Sequence, residues 1–358
     1  MNSRHLVDRF HDVRARGEPL VLVTVYVTQG STYSKAGARM LVTAGGESQG
    51  LISGGCLESD LALRAASVLE TNRATVVSYD LRDEADELFG LGVGCNGLIE
   101  VLLQPIRAES GYEPMATIAE TLMGDHIGAL ATVVESGESG LERGASVAFL
   151  AGETRCFGDA AKLPALVGAG CRRAIESRRS AFVATPEGPA ILYTPLVPIP
   201  RVLILGAGLD AVPLVNVLAE LGWRVTLADH RPAYLGRPGF ARAEQRQVVR
   251  PAALDAALAL AGFDAIVVMS HHLDTDRDYL RRLADIAAPY IGLLGPPARR
   301  RRLLEEIGAE GAPLAGRLRG PVGMDIGADS AESIALSIAA EIQDVLARAV
   351  GSDSRRKA

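Results

Sequence analysis

The chain has 358 residues, of which 48% are apolar and 22% charged, with a formal net charge of -6. That length exceeds one ordinary core and suits two or three domains, and the balance is that of a folded chain rather than a disordered one. The negative charge excludes a general polyanion-binding surface, so nucleic acid is not an expected partner, and no run of about 18 apolar residues marks a membrane span.

The segment Met1 to Pro19 is charged throughout and has a helical pattern. It lacks the apolar core of a signal peptide, so a cytoplasmic location is expected, and the four cysteines are expected to remain thiols. The β-branched run LVLVTVYVT, from Leu20, reads as the first strand. The loop that follows carries Ser31, Thr32, Ser34 and Lys35, donors suited to a phosphate or a pterin; a plain surface hairpin is the other reading. Then ISGGCLESDLALRAASVLE places Gly54, Gly55 and Cys56 just before a helix whose Leu57, Leu61, Ala65 and Val68 or Leu69 recur at helical spacing.

A cysteine at a helix N-terminus is where a thiolate is favoured, and neighbouring glycines expose amides that cradle anions. The turn GLGVGCNGLIEV repeats the idea with Gly94 and Cys95. Soft thiolates suit molybdenum, copper or sulfur transfer, whereas the competing reading makes both cysteines small core residues in tight turns. There is no C-x-x-C pair, so the spacing is not that of structural zinc. Cys56 and Cys95 are the candidate catalytic and metal-binding residues, and Lys35, Gly54, Gly55 and Gly94 the candidate cofactor contacts around them.

The organisation expected is residues 1–110, 111–198 and 199–350. The second segment aligns with the first at an offset of about 107 residues, LVLVTVYVTQGSTYSKAGARMLVTAGG with IGALATVVESGESGLERGASVAFLAGE, which points to a duplicated α/β unit. Its Cys156 and Cys171 read as structural.

Pro195, Pro198 and Pro200 mark the junction to the third segment. There VLILGAG, RVTLAD, AIVVMSHH, YIGLLG and PVGMDIG read as buried strands separated by helices, the pattern of a doubly wound parallel sheet. Gly206, Gly208 and Ala211 form G-x-G-x-x-A between the first strand and its helix, a turn that seats a pyrophosphate on helix amides. Asp229 ends the next strand, where an acid accepts ribose hydroxyls; Arg231 close behind leaves NAD and NADP both open. His271 and His272 lie just past a later strand with Asp274 and Asp276 following, a cluster that could hold a metal or move a proton, and His271 is a candidate to bind the cofactor. Asp274 or Thr275 is expected to cap the helix that follows, Arg299 to Arg302 to form a solvated basic face, and Asp329 with Glu332 to cap the last helix.

Taken together, these segments resemble the XdhC/CoxI family over nearly the whole chain. GARMLV, ISGGCLE and GVGCNG resemble the family's N-terminal domain. PRVLILGAGLDAVPL, GWRVTLADHRPAY, MSHHLDTD, YIGLLGPPARRRRLL and PVGMDIGADSAESIALSIAAEI resemble its C-terminal Rossmann domain. The fold implied is α/β, an N-terminal α/β region followed by a Rossmann-like sheet. The resemblance also implies an accessory protein that binds molybdenum cofactor (molybdopterin), protects it during sulfuration and hands it to an apo molybdenum hydroxylase of the xanthine dehydrogenase type. A cysteine desulfurase and a second copy of the chain, as a homodimer, are the further partners expected. By the same resemblance, Cys56 and Cys95 fall at the family's glycine-bounded cysteines. Two departures stand out: Asn96 replaces a glycine after Cys95, and Leu209 and Asp210 follow the second loop glycine where the family often has His. The alternative function is an NAD(P)-dependent oxidoreductase acting on a small molecule. A catalytic xanthine dehydrogenase subunit is excluded by length and by the lack of clustered cysteines for iron–sulfur ligation.

Overall fold

The computed structural model describes residues 3–82, 97–184 and 186–351. The chain divides into two compact units, Met1–Pro198 and Ile199–Ala358. Among the described residues no helix is long and apolar enough to cross a membrane.

The first unit contains two five-stranded antiparallel sheets of the same design. Helix α1 (Ser3–Ala15) precedes β1 (Leu20–Gly30), β2 (Arg39–Thr43) and β3 (Ser48–Gln49); α2 (Glu58–Thr71), β4 (Thr75–Asp80) and β5 (Gly97–Ile106) follow. The second set is α3 (Met115–Met123), β6 (Gly128–Glu135), β7 (Ser146–Leu150), β8 (Glu153–Phe157), α4 (Leu163–Ser177), β9 (Ala181–Val183) and β10 (Ala190–Leu196). The sheet orders are β3-β2-β1-β5-β4 and β8-β7-β6-β10-β9, the same path taken twice.

Alternation along the strands builds the layers. Val21, Val23 and Val25 of β1 cluster with Leu61, Ala65 and Val68 of α2, and Ala129, Ala131 and Val133 of β6 with Leu163, Val167, Cys171 and Ala174 of α4. Burying Leu61 or Val68 contributes roughly 1.5–3 kcal/mol each. The opposite faces meet: Tyr26 and Leu102 pack on Val134 and Leu192, and the Tyr26 and Phe182 rings lie 5.1 Å apart. Arg39 is a polar intruder in this layer, donating to Thr194 Oγ1 at 2.7 Å. Burial pushes its guanidinium down to about 10, and its Nε has no hydrogen-bond partner among the described residues.

The second unit is a six-stranded parallel sheet of order β13-β12-β11-β14-β15-β16. In chain order it runs β11 (Arg201–Leu205), α5 (Ala211–Glu220), β12 (Arg224–Asp229), α6 (Pro232–Leu235), β13 (Gln245–Val248), α7 (Leu254–Ala257) and β14 (Ala265–Val268). The remainder is α8 (Leu273–Leu283), β15 (Tyr290–Leu293), α9 (Pro297–Ile307), β16 (Leu318–Arg319) and α10 (Ala331–Gly351). One core lies under α5 and α10, the other under α8 and α9, so both faces are covered. This is the doubly wound arrangement expected from the apolar strand runs.

Several local expectations are corrected. PVGMDIG is irregular, and the sheet's last strand is Leu318–Arg319 just before it. An additional edge strand, β13, lies outside the apolar runs that the sequence marks. The caps also differ: at α10, Ser330 and Ser333 exchange hydrogen bonds across the first turn, rather than Asp329 with Glu332. At α8, His272 occupies the cap position, and buried Asp276 reaches back to the Ser270 amide. The basic run is only half solvated: Arg299 binds the Asp276 carboxylate at 2.6 Å and Arg300 donates to the Leu318 carbonyl at 2.9 Å. Cys171 is buried and its thiol is pushed up to about 12, whereas Cys156 is exposed on β8 instead of structural.

Candidate functional site

In the first unit, the segment between β3 and α2 is held from beneath by Glu58. Its Oε1 accepts from the Ile52 and Ser53 amides at 2.8 and 2.9 Å; its Oε2 accepts from the Ser53 hydroxyl at 2.6 Å and the Gly55 amide at 3.0 Å. Burial works to raise this carboxyl, but the Ser53 hydroxyl and the backbone amides outweigh it and hold it below the usual carboxylate range. Ser53 Oγ in turn accepts from the Leu57 amide at 2.7 Å. The turn is therefore locked while its outer side stays bare. Gly55 has φ +118, and beyond its two chain neighbours no atom lies within 4 Å of where a side chain would point.

Cys56 sits on this turn, partly exposed, with a free thiol. The β1–β2 loop lies alongside: Ser34 Oγ donates to the Leu51 carbonyl at 3.1 Å, and the exposed Tyr33 ring is 3.6 Å from the side-chain position of Gly54. Lys35 is exposed on the same loop. Gly94 and Cys95 lie outside the described residues. Among those described, no three His, Cys, Asp or Glu side chains gather in a metal-holding group.

In the second unit, the turn after β11 is closed by contacts that demand glycine. Gly206 has φ +121, and a side chain there would meet the Met269 carbonyl oxygen at 2.6 Å. Gly208 and Ala211 continue into α5, and Ala211 is fully buried against the sheet. Asp229 ends β12 but does not face outward as a ribose acceptor. It is 1% exposed; its Oδ2 takes the Ala207 amide at 2.8 Å and its Oδ1 the Arg231 amide at 2.9 Å. The Arg231 side chain adds two bonds, at 2.9 and 2.8 Å. Burial would raise the Asp229 carboxyl, yet these bonds keep it below its ordinary value. Arg237 Nη1 donates to the Ala207 carbonyl at 3.2 Å.

His271, at φ 62, reaches over the turn and its Nε2 lies 2.6 Å from Asp210 Oδ2. The Asp210 carboxylate crowds the space into which a side chain at Gly208 would point. Along the same strand-end edge opens a cavity of about 570 Å³, lined among others by Gly295, Val322, Met324, Ile326 and Ile334. The segment expected as a strand, PVGMDIG, thus forms a cavity wall. The sequence pattern does not single out Glu58, Arg237 or the pairing of Asp210 with His271. An acid two residues after a helix-leading G-C is the one available hint, for Glu58.

The XdhC Rossmann domain model matches residues 202–342, and the XdhC and CoxI family model matches residues 13–80. A Bacillus subtilis (strain 168) protein named as a probable xanthine dehydrogenase subunit is 33% identical over 327 residues, covering 91% of this chain and 92% of that protein. The chain belongs to the XdhC and CoxI family. A second relative of this family member, the Escherichia coli (strain K12) molybdenum cofactor insertion chaperone PaoD, is 30% identical over 92 residues, 26% of this chain and 28% of that one. A crystal structure described as a xanthine dehydrogenase from Bacillus halodurans superposes with a TM-score of 0.77 at 28% identity, covering 98% of this XdhC/CoxI chain and 97% of that one.

Proposed function

We propose that this chain is an accessory protein that takes up molybdenum cofactor as cargo and assists its sulfuration and insertion into a xanthine dehydrogenase-type hydroxylase. The observation that carries this is the half-exposed Cys56 thiol on a turn that is rigid below and bare above. A soft sulfur donor with open space beside it fits a molybdenum centre, and Tyr33 offers an aromatic face next to the turn for a flat pterin. The names of the Bacillus subtilis and Escherichia coli relatives support the same role. An apo-hydroxylase is the recipient in this reading, and a cysteine desulfurase the sulfur source. Cys95, flanked by Gly94, is the second thiol assigned to the cargo, and Lys35 is the exposed cation of the β1–β2 loop assigned to it.

In this reading the second unit binds a dinucleotide at Gly206, Gly208 and Ala211, with Asp229 shaping the turn and His271 beside the phosphate position. The experiment is mass spectrometry of small molecules released from protein purified out of molybdenum-replete cells. Wild type is expected to release molybdopterin, and the Cys56→Ala and Cys95→Ala variants to lose it. Unchanged retention in both variants refutes the role of the thiols.

A second reading, an NAD(P)-dependent oxidoreductase, draws on the 2.6 Å Asp210–His271 pair at the end of a parallel sheet. It requires the nicotinamide absorbance to change with turnover of a small substrate.

A further inference from the structure

The rim of the glycine turn in the second unit favours a phosphate over a pair of ribose hydroxyls. An acid at the end of the second strand of such a sheet ordinarily accepts hydrogen bonds from the ribose 2′-hydroxyl. Here Asp229 is 1% exposed, and four hydrogen bonds from Ala207 and Arg231 fill the acceptor positions of its two oxygens. It has no capacity left for a sugar.

What stands at the rim instead is cationic. The guanidinium groups of Arg231 and Arg237 both pack on the Tyr234 ring, 3.8 and 4.1 Å from its centre. The Asp229 carboxylate neutralises Arg231. Arg237 is tied only to the Ala207 carbonyl and the Tyr234 ring and has no carboxylate partner among the described residues. One uncompensated guanidinium, packed on an aromatic ring and hydrogen-bonded to the turn, is suited to recognise a phosphomonoester by charge-assisted hydrogen bonds.

We propose that the dinucleotide bound by this unit is 2′-phosphorylated, NADP(H) in preference to NAD(H), with Arg237 as the residue that sets the preference. This rests on the reading that the glycine turn binds a dinucleotide.

The test is isothermal titration calorimetry of the full-length protein with NADP⁺, NAD⁺ and 2′,5′-ADP, the last carrying the 2′-phosphate without a pyrophosphate. NADP⁺ is expected to bind about tenfold or more tighter than NAD⁺, and 2′,5′-ADP to compete with it. Arg237→Ala is expected to weaken NADP⁺ by about tenfold while changing NAD⁺ less than about twofold. Arg237→Lys keeps the charge and should restore part of the loss. A thermal melt matching wild type shows that Arg237→Ala still folds. Equal affinity for the two dinucleotides, or equal weakening of both by Arg237→Ala, overturns the preference and leaves dinucleotide binding standing. Failure of both to bind overturns the dinucleotide reading along with it.

Discussion

Glu58→Ala isolates the device that shapes the Cys56 turn. The carboxylate accepts from three backbone amides and one hydroxyl. The Gly55 residue is exposed, so its amide recovers water when the acceptor is removed. Ile52 and Ser53 are 0% and 7% exposed, so theirs do not. Two buried donors left unsatisfied cost about 1–3 kcal/mol each, which with the stranded Ser53 hydroxyl puts the loss at roughly 3–5 kcal/mol. For a unit of this size that is a fall of roughly 10 °C in its melting temperature. The loss is pH-dependent. The folded carboxyl lies below its reference value of 4.5, so the part of its contribution that this shift represents is full above that value and is lost as pH falls through the folded value. Wild type and Glu58→Ala should therefore differ most in calorimetry at neutral pH, and the difference should narrow in acid. In a Cys95→Ser, Cys156→Ser background, Cys56 should also react faster with a thiol reagent once its turn is released. An unchanged melt together with an unchanged thiol rate refutes the claim that Glu58 holds the turn.

Two further predictions concern the second unit. Arg299→Met leaves Asp276, at 0% exposure, without its cation and should lower stability by about 3–5 kcal/mol in urea unfolding of the full chain; a loss below about 1 kcal/mol contradicts the pairing. Asp210→Asn removes the negative charge standing where, in the proposed reading, a phosphate would rest. It should tighten NADP⁺ binding by about threefold to tenfold in calorimetry, and unchanged or weaker binding sets that competition aside.

The legible parts of the fold are those in which burial dictates residue type. VLILG, RVTLAD and AIVV announce themselves because strands covered on both faces must be apolar throughout. The two ends of the sheet do not. Gln245–Val248 is a mostly exposed edge, and Leu318–Arg319 is two residues long, so neither carries an apolar signature. PVGMDIG misleads in the opposite direction: it is apolar because Val322 and Met324 line a cavity, and its glycines at positive φ break the strand path. In the site, the cysteine and glycine turns are readable because bare backbone is rare without a use. Their supports are not. Arg237 reaches back 30 residues from an aperiodic stretch, and an acid in the first turn of a helix, as Glu58 is, has an ordinary explanation in the helix dipole.

The two glycine turns share one solution to one problem. A turn rich in glycine directs several N–H groups to one side with no side chains to satisfy them, and a buried amide without a partner is costly. In the first unit Glu58 gathers those amides, and in the second Asp229 takes the Ala207 amide. A carboxylate built into the chain thus accepts backbone amides of each turn. An incoming ligand meets a first turn whose Ile52, Ser53 and Gly55 amides, and a second turn whose Ala207 amide, already bond an internal carboxylate. In the proposed reading, recognition beyond the remaining amides falls to a thiol at Cys56 and, at the second turn, to the Arg237 guanidinium, with Asp210 as the charge that the ligand displaces. This division between bracing acid and recognising group is why Glu58→Ala should act first on stability and Arg237→Ala on affinity.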